Sequence, residues 1–117
     1  MTPQPGQVVT VFRSRLRPEA VDEYAADAAR IAELARAMPG YVEHKAFTAD
    51  DGERVTVVTF ADADSHRAWR DHPEHRAAQR RGIERYYAAY SIQVGTTSYA
   101  SSRSDQSSGP SGRPRQG

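Results

Sequence analysis

The stretch "WRDHPEHRAAQ", residues 69–79, sets the chain's single tryptophan, Trp69, within ten residues of two histidines, His72 and His75, and an amide, Gln79. An imidazole titrates near neutral pH and can take up a proton, an indole offers a flat apolar wall, and an amide both donates and accepts hydrogen bonds. Such parts could place a base or a hydrogen-bonding group beside a bound molecule in a dry, aromatic-walled pocket.

If residues 73–86 form one helix, His75, Gln79, Gly82 and Tyr86 share a face. A polar stripe with a glycine gap suits a cavity wall, with room left at Gly82 and His75 placed to act as a base. It also suits a solvated helix face, just as Trp69 suits either a pocket wall or a core residue pinning a helix to a sheet. His72, directly before Pro73, stands where a helix cap is expected. Tyr86 and Tyr87 lead into a strand, where alternation predicts that one faces the cavity and the other does not. His44, between Glu43 and Lys45, reads as a structural or exposed strand residue. A His72 and His75 pair split by a proline, with no carboxylate to complete it, predicts no metal site. No glycine-rich phosphate loop, nucleophile elbow or dinucleotide fingerprint occurs, so no cofactor is expected.

These residues need elements to hold them. Residues 7–16, "QVVTVFRSRL", have strand chemistry, and Pro18 suits a first helical turn. From Glu19 to Met38 apolar residues recur at steps of three and four, acids early and arginines late, which predicts a helix ended by Pro39 and Gly40. "YVEHKAFTA" and "RVTVVTFA" flank "DDGE", a hairpin signal. A short helix over 62–71, a second from Pro73 to about Arg85, and a last strand in "YSIQVGTTSYA" complete a β-α-β-β-α-β order. That is the split βαβ pattern of ferredoxin-like α+β folds: a four-stranded antiparallel sheet with helices on one face.

The domain is expected over 7–99, and 100–117, rich in Ser, Gly, Pro and Arg, as a disordered tail that is either merely solvated or a weak tether for an anionic partner. The 117-residue chain has no cysteine, which removes disulfides, thiolate zinc sites and cysteine nucleophiles. From residue 101 on there are three arginines and one aspartate; without them 13 basic residues face 14 acidic ones, so no nucleic-acid footprint is expected. No apolar run is long enough for a membrane span and no export signal opens the chain, so a cytoplasmic protein is expected.

"VVTVF" and "VTVVTF" place apolar side chains on both sheet faces, although two helices cover only one. Several hundred Å² of wet apolar surface would cost on the order of 10 kcal/mol at roughly 25 cal/mol per Å². A homodimer with sheets face to face and helices outside is therefore expected.

The element order, the "MPGYVEHKAFTADDGE" region and "AWRDHPEHRAAQRRGIERYYAAYSIQV" together resemble the antibiotic biosynthesis monooxygenase family of dimeric α+β barrels, over about residues 7–99. The resemblance implies a substrate lying between helices and sheet of one subunit, and a cofactor-independent monooxygenase acting on a small aromatic, phenolic or quinol, molecule. His75 would be its catalytic base, with Trp69, His72, Gln79 and Tyr86 binding substrate. The resemblance also admits a non-catalytic dimer binding a hydrophobic or haem-like ligand, and a haem-degrading relative. The haem-degrading branch pairs a first-strand asparagine and a short-helix tryptophan with a histidine ten residues further on. Here Trp69 is followed by Gln79, and the first strand offers Phe12, Arg13 and Ser14.

Overall fold

The computed structural model describes residues 2–105. Residues 106–117, the larger part of the expected disordered tail, lie outside the described residues. Four strands, β1 (Val8–Leu16), β2 (Tyr41–Thr48), β3 (Arg54–Phe60) and β4 (Tyr87–Thr96), form one antiparallel sheet in the order β2-β3-β1-β4. Three helices, α1 (Val21–Arg36), α2 (Ala63–Arg70) and α3 (Pro73–Arg81), complete the expected α+β ferredoxin-like arrangement.

The differences from the sequence expectation are local. The α1 segment begins with a tight 3-10 turn at Pro18–Ala20 and its regular part stops at Arg36, because Pro39 forces Met38 out of helical geometry. Gly40 follows with φ +83°, and a side chain there would overlap Ser65. Ser65 is itself committed: Asp62 Oδ1 accepts its backbone N–H at 2.8 Å, and Ser65 Oγ accepts that of Asp62 at 3.3 Å, a reciprocal cap that starts α2. The junction after α1 and the start of α2 are thereby locked together.

The hairpin between β2 and β3 forms, but not as a two-residue turn with Asp51 and Gly52 at its centre. No non-glycine residue among those described has positive φ, so Asp51 cannot take the first central position of a type I′ turn. Instead Gly52 N–H closes a turn onto Ala49 O at 2.9 Å, and Gly52, at φ +91°, follows it.

Past α3 the chain makes one wide π-helical turn, Gly82–Tyr86, so the expected single helix to Arg85 is interrupted and β4 begins at Tyr87 rather than Tyr90. Gly82 permits this geometry, because a β-carbon there would run into the Tyr87 ring. The room that glycine leaves is filled by tyrosine, which corrects the expectation that it enlarges a cavity.

Strand register sorts the sheet into two faces. Val8, Thr10, Phe12, Ser14 and Leu16 lie on the helix side with Arg54, Thr56, Val58 and Phe60, as the pairs Phe12–Thr56 and Thr10–Val58 require. The core lies here: fully buried Phe60, with Trp69 and Ala35, packed round by Ile31, Leu34, Met38, Tyr41 and Val58. On the other face register aligns Val11 with Val57, Val9 with Thr59, and Phe47 with Val55. Among the described residues no helix covers that apolar strip.

Candidate functional site

Between the helices and the sheet lies a cavity of about 820 Å³. Its floor is Thr10, Phe12, Thr56, Val58, Ile92 and Val94; its roof includes Tyr24, Ile31, Trp69, His75, Tyr86 and Tyr87. The volume is in the range that holds a small organic molecule.

One end is built from imidazoles and indole. Trp69, only 5% exposed, stacks against Phe60 (6.4 Å between ring centres, 22°) and more closely against His75 (4.2 Å, 14°). His75 Nδ1 lies 3.0 Å from the Trp69 carbonyl oxygen. A carbonyl only accepts, so Nδ1 carries the proton and Nε2 is left with a free lone pair. Burial lowers the His75 pKa below its ordinary value, favouring the neutral ring. Two more histidines line this end, and burial lowers both of their pKa values: His66, with Nε2 3.5 Å from Thr10 Oγ1, and His44, with Nδ1 2.7 Å from the Tyr41 hydroxyl.

The other end is aromatic and charged. Tyr24, Tyr86, Tyr87 and Phe12 meet edge to face, with centres 5.2 to 6.1 Å apart for the Phe12–Tyr87, Tyr24–Tyr86 and Tyr24–Tyr87 pairs. Tyr86 donates its hydroxyl to Asp27 Oδ2 at 2.9 Å, and Arg81 grips both carboxylate oxygens of Asp27 at 2.8 Å. Arg30 adds a third contact at 3.1 Å. The Arg81 hydrogen bonds, helped by those from Tyr86 and Arg30, pull the Asp27 pKa down to about 2. Burial raises that of Tyr87, keeping its phenol neutral. Arg54, also on this wall, lies over the Tyr24 ring at 5.4 Å.

Of the residues singled out from the sequence, Trp69, His75, Gln79 and Tyr86 all line the cavity. His72 is not among its lining residues; its Nδ1 accepts the Glu74 N–H at 3.1 Å and caps α3 ahead of Pro73. Tyr86 and Tyr87 both line the cavity, against the alternation expected for a strand. The reason is the π-helical turn: Tyr86 is its last residue and Tyr87 the first of β4, so the two are not strand neighbours. Asp27, Arg54 and His66 were missed, although the first two left a signal. Asp27 stands three residues after Tyr24 and four before Ile31, within the apolar stripe of α1, and Arg54 is in phase with Thr56, Val58 and Phe60.

The sequence profile of the antibiotic biosynthesis monooxygenase family matches residues 7–81. The chain belongs to the antibiotic biosynthesis monooxygenase family. It is 31% identical over 93 residues to the uncharacterized protein YqjZ of Bacillus subtilis, a match covering 80% of this chain and 81% of that one. Its fold superposes on that of SnoaB, a cofactor-independent oxygenase from Streptomyces nogalater, with TM-score 0.67 at 17% identity, covering 86% of this chain and 98% of SnoaB. Rv0793 from Mycobacterium tuberculosis gives TM-score 0.72 at 18% identity, over 82% of this chain and 99% of that one. At such identities the family's architecture is shared, while the chemistry must be argued from the site.

Proposed function

We propose that this family member is a cofactor-independent monooxygenase that oxidises a small aromatic, phenolic or quinol, substrate with O2 inside the helix-side cavity. The observation that carries the reading is the His75 arrangement: a neutral imidazole with Nδ1 anchored on a backbone carbonyl and its ring fixed against Trp69, on the wall of an aromatic cavity. SnoaB, described as a cofactor-independent oxygenase, shares the fold and supports the class of reaction.

For an anthrone-like substrate the steps balance as follows. His75 Nε2 takes a proton from the ring CH2, and the resulting carbanion, delocalised onto the phenolate oxygen, passes one electron to O2. The radical pair joins to form a C–O bond, and the peroxide takes back a proton. Loss of the remaining C–H proton with cleavage of O–O releases water and leaves a carbonyl: CH2 and O2 become C=O and H2O. The aromatic walls exclude bulk water from the carbanion. Gln79, on the cavity wall, is placed to hydrogen-bond a substrate oxygen.

The uncovered face, where Val9, Val11, Val55 and Val57 lie half-buried and Phe47 is 52% exposed, supports a homodimer with sheets apposed. Among the described residues no helix is long and apolar enough to cross a membrane.

The test is O2 uptake by metal-free, haem-free protein with a panel of hydroquinones and anthrone-like phenols. Wild type should consume O2, and His75→Ala should lose at least 10²-fold in rate, the usual range for a general base, while still binding the compounds. Equal rates in both proteins would remove His75 from the mechanism. Binding without any uptake would favour a ligand-binding dimer.

A further inference from the structure

Nine arginines among the described residues form ion pairs with carboxylates: 13, 15, 30, 36, 67, 70, 76, 81 and 85. Arg54, on the cavity wall, forms none, and its Nε is buried without a hydrogen-bond partner. The carboxylate that lines the same cavity, Asp27, is committed elsewhere. It is held by Arg81, Arg30 and Tyr86. A guanidinium cannot shed its proton at neutral pH, and a buried N–H left unpaired costs free energy. The Tyr24 ring against it supplies a cation–π contact but no acceptor.

We propose that Arg54 is the seat for a carboxylate carried by the aromatic substrate, at the end of the molecule away from the group that is oxidised. This deepens the reading above by naming a substrate class: an elongated hydroxyaryl carboxylate. Register sets the length. Thr10, which meets His66, pairs with Val58, four residues along β3 from Arg54, or about 13 Å at ~3.3 Å per residue. A two-ring frame with a hydrogen bond at each end spans about that distance. Phe12 and Thr56 form the floor in between, and Tyr24 and Tyr87 wall the carboxylate end.

The experiment is equilibrium binding followed by ligand fluorescence at pH 7, without turnover. It compares 6-hydroxy-2-naphthoate with 2-naphthol, which lacks only the carboxylate. Wild type should bind the acid roughly 10-fold to 100-fold tighter, the range for a charge-assisted hydrogen bond in a partly dry site. Arg54→Met, which keeps the apolar stem, should abolish that preference and leave 2-naphthol binding within about twofold, and Arg54→Lys should restore part of it. Equal affinities for the two compounds in wild type, a preference that survives Arg54→Met, or failure of wild type to bind either compound would each overturn the proposal. Because no oxygen chemistry is read, an Arg54-dependent preference in a protein that oxidises nothing would sink the oxygenase reading and leave Arg54 as the seat of a bound ligand's carboxylate.

Discussion

A single carboxylate, Asp27, organises three elements: it sits on α1, receives Arg81 from α3, and holds the Tyr86 hydroxyl at the π-helical turn. Its pKa of about 2, against 3.8 for a free aspartate, is a stability contribution present above pH 4 and lost as pH falls through the folded value. With its side chain 12% exposed, the shift corresponds to about 2 kcal/mol. Asp27→Asn should therefore lower stability by roughly that amount at pH 7 in urea denaturation, and the gap should shrink between pH 4 and pH 2. Equal stability of the two proteins at pH 7 would show that the cluster is energetically idle. The histidines act in the same direction at higher pH. His44, His66 and His75 all have lowered pKa values, so the unfolded chain binds more protons, and stability is full above about pH 6.5 and declines as pH falls below it. For the same reason kcat/KM should rise with pH through an apparent pKa below 6.5 and then level off. A descending limb over that interval would mean that the active form is the imidazolium.

At the scale of elements, two glycines test two different constraints. Gly82 has ordinary helical geometry at φ −59°, but its missing side chain is the space that the Tyr87 ring occupies. Gly82→Ala should cost about 1–3 kcal/mol by overpacking and alter the near-UV circular dichroism of the tyrosine cluster. Gly52 has open space around it but φ +91°. Gly52→Ala should cost about 1–2 kcal/mol through the backbone alone, with the tyrosine signal unchanged. If both variants moved that signal equally, the link between Gly82 and the cavity wall would fail. Most elements were legible because period and punctuation agree: the apolar stripe of α1, the alternation in β1 and β3, Pro73 opening α3. The π-helical turn was not, because its cause is the packing of a ring five residues later, which no local propensity reports.

At the scale of the molecule, the apolar strip of Val9, Val11, Val55 and Val57 has no cover among the described residues. A fully buried valine contributes about 1.5 kcal/mol or more, so the strip favours association, and a charge at its middle opposes it. Val57→Glu should shift sedimentation equilibrium toward monomer while keeping the far-UV spectrum. A wild-type monomer at micromolar concentration would remove the dimer from the proposal. The face the strip lies on follows from register, and register from pairing Val11 with Val57 rather than with either neighbour.

The sequence by itself determined the element order, the sheet with its helices on one face, and the family, because periodicity, turn chemistry and the "AWRDHPEHRAAQ" stretch are encoded over short spans. It also placed Trp69, His75, Gln79 and Tyr86 together, since helical spacing and a short connection leave few ways to separate them. Only the tertiary structure decided that Gly82 is filled by Tyr87, that Asp27 is paired with Arg81 and hydrogen-bonded by Tyr86, both more than fifty positions further along, and that Arg54 meets no carboxylate among the described residues. Each of those depends on which side chains meet across elements far apart in sequence. A charge's partner is set by three-dimensional proximity, which spacing along a strand or helix does not contain.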